Sequence, residues 1–68
     1  MEKTKENIEY IQHQLDYYKC GYDLCGVEIT EEDAENVIDL INDDYTEDQA
    51  IDEVLNGIND VVSEGWEY

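Results

Sequence analysis

The sequence contains no proline, no phenylalanine and only three basic side chains among its 68 residues. The three lysines all lie at or before Lys19, so the stretch from Cys20 to Tyr68 contains neither lysine nor arginine. This scarcity excludes a surface that binds nucleic acid directly, because such surfaces neutralise phosphates with lysine and arginine. It also leaves the many carboxylates after Cys20 without cations in their own segment, and unneutralised repulsion opposes a compact fold.

Cysteine and histidine are also scarce, with two cysteines and one histidine. Cys20 and Cys25 form a C-x4-C pair without the second pair that a structural zinc site needs, and His13 lies in a different part of the sequence. We therefore expect two reduced, partly buried thiols and no bound metal. The sequence also lacks a long apolar run, a signal peptide and a disulfide framework, which favours an intracellular, cytoplasmic protein without membrane contact.

The chain is rich in acidic residues, because 20 Asp and Glu give it a formal net charge of -17. Such chains are often disordered, but six tyrosines, one tryptophan and a regular aliphatic spacing favour a folded domain here. A chain of this length builds one small core, and its apolar side chains are committed to that core. We therefore expect a single domain over residues 1–68 that binds another macromolecule, with neither catalysis nor a cofactor.

Apolar residues at helical spacing predict three helices, and therefore an all-α three-helix bundle. The first helix is expected from about Lys5 to Lys19, with Thr4 as its N-cap and Gly21 as a left-handed residue after its end. Its inward stripe contains Ile8, Ile11, Leu15 and Tyr18. The rings on the opposite side, which should face solvent or a partner, are those of Tyr10, His13 and Tyr17.

The second and third helices each begin with a capping signature. Thr30 precedes Asp33 by three residues, and Thr46 precedes Gln49 in the same way. The run from Asn42 to Asp44 ends the second helix. The inward stripes are Ala34, Val37, Ile38 and Ile41 in the second helix, and Ala50, Ile51, Val54, Leu55, Ile58, Val61 and Val62 in the third. Because the third stripe is the broader one, we expect the third helix to be central.

Glycines mark the remaining connections. The connector from Cys20 to Ile29 is expected to be an ordered loop, held in place by Leu24, Val27 and Ile29. Gly57 interrupts the third helix, which indicates either the close approach of a neighbouring backbone or a mild bend. Gly65 is expected to end that helix and to leave a short tail that carries Trp66 and Tyr68.

The acidic residues of the second and third helices, with the turn between them, are the candidate binding site. Carboxylates one helical turn apart are separated by about 5.4 Å along the axis, which approaches the spacing of successive phosphates in a nucleic-acid strand. The alternative is a solvated surface that only maintains solubility, but ordinary surfaces intersperse both signs of charge. The candidates are Glu31, Glu32, Asp33, Glu35, Asp39, Asp43, Asp44, Glu47, Asp48, Asp52 and Glu53.

Aromatic side chains add candidate anchors, because tyrosine and tryptophan are enriched where partners bury them. Tyr10 and Tyr17 of the first helix are included in the binding site for this reason, together with Tyr45 of the turn. For Tyr45 and Trp66, a role in covering the end of the core explains the pattern equally well.

A calcium-binding loop is a further interpretation of the turn, because five residues follow the ligand count of an EF-hand: Asn42, Asp44, Thr46, Asp48 and Glu53. The glycine that such a loop requires is replaced by Glu47, and a helix start lies inside the supposed loop. We therefore expect no specific calcium site.

The small size, the missing basic residues and the acid-rich stretch from Glu28 to Glu53 together resemble the phage and mobile-element inhibitors that mimic DNA, including anti-restriction and anti-CRISPR proteins. The resemblance implies a protein that fills the basic nucleic-acid channel of a host-defence nuclease, such as a CRISPR effector, in the cytoplasm of a bacterial host cell. We expect it to be a monomer or a homodimer. The true substrate would be excluded sterically.

The order of elements is similar to that of a second family, the small antitoxins that silence Fic-type AMP-transferases. The residues that carry this likeness are Gly26 to Thr30, which open one helix, and Tyr45 to Ile51, which open the next. It implies neutralisation of a toxin enzyme through a surface centred on the first helix. Those antitoxins use a glutamate on an early helix, but in Asp16 to Gly21 the comparable place is taken by Cys20, so that inhibitory contact is missing.

Overall fold

The computed structural model describes residues 1–63, which form three α-helices: α1 at Lys5–Tyr18, α2 at Glu31–Asn42 and α3 at Glu47–Ser63. A short 3-10 helix, Lys19–Tyr22, follows α1, and the described residues contain no strand. The predicted all-α three-helix class is confirmed. The expectations for Gly65, Trp66 and Tyr68 lie outside the described residues.

Threonine side chains begin all three helices, as the sequence predicts. Thr4 Oγ1 accepts a hydrogen bond from the backbone N–H of Asn7 at 3.2 Å. Thr30 and Asp33 form a reciprocal capping box, with distances of 3.3 Å from Asp33 N to Thr30 Oγ1 and 3.1 Å from Thr30 N to Asp33 Oδ2. Thr46 and Gln49 form the same arrangement at the start of α3. Each box satisfies backbone donors that a helix N-terminus otherwise leaves unpaired.

The core consists of aliphatic side chains from all three helices and the connector. Helix α2 lies against both α1 and α3, whereas α1 and α3 touch each other little. The expectation that the third helix is central was therefore wrong, because its apolar stripe continues past the core, where Val61 and Val62 remain 43% and 47% exposed. The buried residues are Ile8, Ile11, Leu15, Leu24, Ile29, Ala34, Val37, Ile38, Ala50, Ile51 and Leu55.

One expectation about burial fails at the end of α1, and one of two interpretations of a glycine in α3 is excluded. Tyr18 was expected inside but is 45% exposed, because α1 ends at this residue and the chain tightens into the 3-10 helix. Gly57 was expected to mark either the close approach of a neighbouring backbone or a mild bend of α3. A Cβ built at Gly57 meets no atom of its surroundings within 4 Å, so no such approach occurs in the described bundle.

The connector between α1 and α2 is ordered by burial, as predicted: Leu24 and Ile29 are buried and Val27 packs against the core. Its left-handed residue is Asp23, with φ of 62°, and not Gly21, which lies within the 3-10 helix. Lys19 stabilises the connector, because its Nζ donates to the Val27 carbonyl at 2.7 Å and pairs with Asp16 at 2.8 Å.

A disulfide joins Cys20 to Cys25, so the expectation of two reduced, partly buried thiols was wrong. Both residues are exposed, and the 3-10 helix brings their Cα atoms to 4.4 Å from each other. The expected absence of a disulfide was one of the observations that favoured a cytoplasmic protein, and the bridge removes that support.

No helix among residues 1–63 combines the length and the apolar composition needed to cross a membrane.

Replacing Cys20 and Cys25 together by serine is expected to lower the free energy of unfolding by about 2 kcal/mol, because the bridge closes a short loop and restricts the unfolded chain. Urea unfolding followed by circular dichroism measures the difference, and the serine variant should be insensitive to reductant. Thiol titration of the denatured, unreduced protein checks the bridge directly; two free thiols per chain would contradict it.

Candidate functional site

The predicted acidic array is distributed over several neighbourhoods of the surface, of which one brings many of its members together. This acidic corner, as we call it, lies where α2 turns into α3. Its residues line a shallow depression of about 340 Å³ and are Asp43, Asp44, Tyr45, Gln49, Asp52 and Glu53. All six are exposed, and among residues 1–63 the carboxylates of Asp43, Asp44 and Glu53 have neither a hydrogen bond nor an ion pair.

The backbone at the acidic corner is a helix C-terminus closed by a Schellman motif. The N–H of Tyr45 donates to the Leu40 carbonyl at 3.1 Å, and the N–H of Asp44 donates to the Ile41 carbonyl at 3.2 Å. The motif requires a left-handed residue, and Asp44 takes that place with φ of 73°. Glycine usually occupies this position, and negative charge is unfavourable at a helix C-terminus, so Asp43 and Asp44 both oppose the stability of α2.

Two tyrosine hydroxyls connect the start of α3 to the first part of the chain. Tyr10 donates to Glu47 Oε2 at 3.0 Å, and Tyr22 donates to Asp52 Oδ1. The hydrogen bond to Glu47 raises the pKa of Tyr10 above its ordinary value of 10.0, and the bond to Asp52, followed by burial, raises the pKa of Tyr22. Asp48 lies beside Tyr22 in a further small depression.

Tyr22 was not identified from the sequence. It lies in the 3-10 helix, where no helical period could be assigned, and its partner is 30 residues away. Tyr10 was identified, but as part of a helix 1 surface separate from the acidic array. The hydrogen bond to Glu47 places it next to that array.

Other members of the predicted site lie elsewhere. Asp39 pairs with Lys3 at 2.8 Å; the hydrogen bond to Asp39 is the main cause that raises the pKa of Lys3, and the charge of Glu35 contributes. Lys3, near the start of the chain, therefore neutralises the charge of Asp39 on α2. The sequence pattern did not indicate this ion pair. Glu32 lines a different groove together with Asp33, and Glu31 is exposed in the first turn of α2.

Two rings of the first helix remain on the outer surface. Tyr17 is 73% exposed and makes an edge contact with the ring of Tyr18 at a centroid distance of 5.0 Å. His13 is also exposed. No group of three or more His, Cys, Asp or Glu side chains within residues 1–63 is placed to hold a metal ion.

Comparisons of the sequence and the fold return no matching protein family, no matching curated protein and no matching solved structure. The function therefore has to be inferred from the surface. Cys20, which takes the place of the glutamate in the antitoxin motif, is bonded to Cys25 and has no free side chain to offer.

The two tyrosine hydrogen bonds predict a loss of stability at alkaline pH. Because the folded pKa values of Tyr10 and Tyr22 lie above the ordinary value of 10.0, their contribution is complete below that pH and is lost as pH rises through the folded pKa. The double variant Tyr10→Phe/Tyr22→Phe should show a flatter decline between about pH 9 and 11. Urea unfolding at each pH measures this, with Tyr17→Phe as control; equal slopes in all three proteins would contradict the assignment.

Asp44→Gly should raise the free energy of unfolding by about 1 kcal/mol, because glycine removes both the left-handed strain and the charge at the end of α2. Asp44→Asn is the matched control, since asparagine removes the charge but keeps a side chain. Thermal and urea unfolding should rank the proteins glycine, asparagine, wild type in decreasing stability. A less stable glycine variant would show that Asp44 supports the turn.

Proposed function

We propose that this protein is a non-catalytic inhibitor that places its acidic corner in the basic nucleic-acid groove of another protein, as a DNA mimic does. The observation that carries the proposal is that Asp43, Asp44 and Glu53 line one exposed depression and form neither an ion pair nor a hydrogen bond with any residue of the described range 1–63. Lysine and arginine of a nucleic-acid groove are the groups that complement such a surface.

The energetic position of these carboxylates supports a role in binding. Two of them lie at the negative end of the α2 dipole, and Asp44 has a left-handed backbone that glycine would adopt with less strain. Neither carboxylate forms a contact that stabilises the described part of the chain. A surface that opposes stability in this way is understandable if its charge is needed by a partner.

The start of α3 extends the acidic corner in a regular manner. Asp48 and Asp52 are four residues apart on one helix, so they rise by about 6 Å along its axis. The rings of Tyr10 and Tyr22 lie beside this row, because their hydroxyls bind Glu47 and Asp52. A row of carboxylates flanked by tyrosines offers both long-range attraction for encounter and apolar area for a lasting complex.

The proposed target class is a host-defence nuclease such as a CRISPR effector, and the proposed place of action is the bacterial cytoplasm. The alternative, an antitoxin of a Fic-type enzyme, would act through helix 1. No contact of the described residues favours it, because Tyr10 is hydrogen-bonded to Glu47 at the start of α3 and Cys20 is in a disulfide.

The test measures how the protein affects DNA binding by a panel of purified RNA-guided and restriction nucleases, using the fluorescence anisotropy of a labelled duplex. The variant Asp43→Lys/Glu53→Lys should weaken inhibition by at least about tenfold, because like charges would then meet in the groove. Asp44 is left unchanged since its left-handed backbone would confound the result. Inhibition by the wild type should also fall steeply as salt rises from low to physiological concentration.

Glu2→Lys/Glu9→Lys is the matched control, because it changes the net charge equally at two exposed positions outside the acidic corner. Circular dichroism confirms that both variants keep their helices. Equal loss of inhibition in the two variants would show that only total charge matters. Inhibition that is indifferent to salt, or inhibition of none of the nucleases, would exclude mimicry of nucleic acid for this panel.

A further inference from the structure

A second surface of the molecule is apolar. The stripe of α3 that begins in the core continues for two more turns, and together with the connector it forms the floor of a groove of about 760 Å³. We call this the apolar groove; its floor residues are Val27, Val54, Gly57, Ile58, Val61 and Val62. The exposure of Val61 and Val62, at 43% and 47%, shows that the described bundle leaves this part of α3 uncovered.

The spacing of the floor residues along α3 suits the packing of one further helix. Val54, Ile58 and Val61 are spaced four and three residues apart on α3, a length of about 10.5 Å along the axis. Apolar residues at this spacing form a stripe, or seam, along one side of a helix that packs against a neighbouring helix. Gly57 lies in the middle of the seam, and the space above it holds no atom within 4 Å of a built Cβ, so an incoming backbone can approach closely there.

The rim of the apolar groove decides the charge of its occupant. Glu28 and Glu32 line it and are exposed, whereas the carboxylate of Asp33 is engaged by Thr30 in the capping box. Among residues 1–63 neither glutamate forms an ion pair, and Lys19, whose Nζ is bonded to the Val27 carbonyl, pairs with Asp16 instead. A second copy of this chain would bring the same acidic rim and be repelled. The chain's own last residues include Glu64 and Glu67, which are also acidic.

We propose that the apolar groove binds a basic amphipathic helix of a partner protein. The apolar side of that helix lies along Val54, Ile58 and Val61, its backbone approaches Gly57, and its lysines or arginines pair with Glu28 and Glu32. Helix-in-groove recognition with anchors at such spacing is a common mode of peptide binding. The proposal goes beyond the inhibitor function and stands on a different surface from the acidic corner.

The probe is a synthetic peptide of about 18 residues with leucines at helical spacing and lysines elsewhere, compared with a peptide of the same composition in scrambled order. Titration of the full chain by calorimetry and by NMR of its backbone amides is expected to show binding of the ordered peptide, with shifts centred on Gly57, Ile58 and Val61. The scrambled peptide should bind at least about tenfold more weakly, since it has no apolar side to place on the floor.

Two variants test the floor without touching the core. Val61→Ser/Val62→Ser removes exposed apolar area, and Gly57→Leu fills the space that the peptide backbone needs. Each should weaken the ordered peptide by at least about tenfold while melting shows an intact fold. Glu28→Gln/Glu32→Gln tests the rim, with Asp43→Asn/Asp44→Asn as a control that removes the same charge at the acidic corner. Only the rim variant should weaken binding markedly.

Four results would overturn the proposal. The scrambled peptide could bind as tightly as the ordered one, or the rim and corner variants could weaken binding of the ordered peptide equally. Either result would mean that the net charge of the protein alone accounts for the binding. Nuclear Overhauser contacts from Trp66 to the methyls of Val61 or Val62 in the free protein would show that the chain covers the apolar groove itself. A dimer in sedimentation that depends on Val61 and Val62 would identify a second copy as the occupant.

Discussion

Electrostatic repulsion among the carboxylates opposes the folded state of this molecule, and the rest of the structure has to overcome it. A formal net charge of -17 is carried by 68 residues, whose core is a small cluster of aliphatic side chains. Each fully buried leucine or isoleucine contributes about 1.5–3 kcal/mol, and charges of one sign that are held close together reduce the sum. The arrangement of helices is therefore one that keeps the apolar side chains together while the carboxylates point outward, and it leaves little stability to spare for a cleft or a second core.

The chain reduces this repulsion mainly with neutral hydrogen-bond donors, because it has few cations. The hydroxyls of Tyr10 and Tyr22 bind carboxylates of α3, and Asn56 donates to Asp52 at 3.1 Å. Asp33 is held by its own capping box, where the positive end of the helix dipole favours it. Within residues 1–63 none of these devices operates for Asp43, Asp44 and Glu53, and the acidic corner is distinguished by the fact that these three unpaired carboxylates line one depression.

The parts of the structure that depend on local sequence were predictable. The threonine caps and most residues of the inward stripes follow from spacing within a single helix, so the fold class and the helix starts could be inferred without knowing how the helices meet. Three features depend on contacts between distant segments: the central place of α2, the exposure of Val61 and the partner of Tyr22. Such contacts cannot be inferred from the spacing of residues within one helix. The acidic corner was partly predictable because Asp43, Asp44 and Tyr45 are consecutive, whereas the link from Tyr10 to Glu47 and the Cys20 disulfide required the folded chain.

Helix α2 lies between α1 and α3, and this position affects the order in which the helices can assemble during folding. Since α1 packs on α2 and α2 on α3, while α1 and α3 meet little, most contacts join elements that are adjacent along the chain. Folds of this kind have low contact order, and closing their short loops costs little conformational entropy. Each helical hairpin can form its apolar contacts before the remaining helix arrives, and the hydroxyls of Tyr10 and Tyr22 reach the carboxylates of α3 only when the first part of the chain joins the hairpin of α2 and α3.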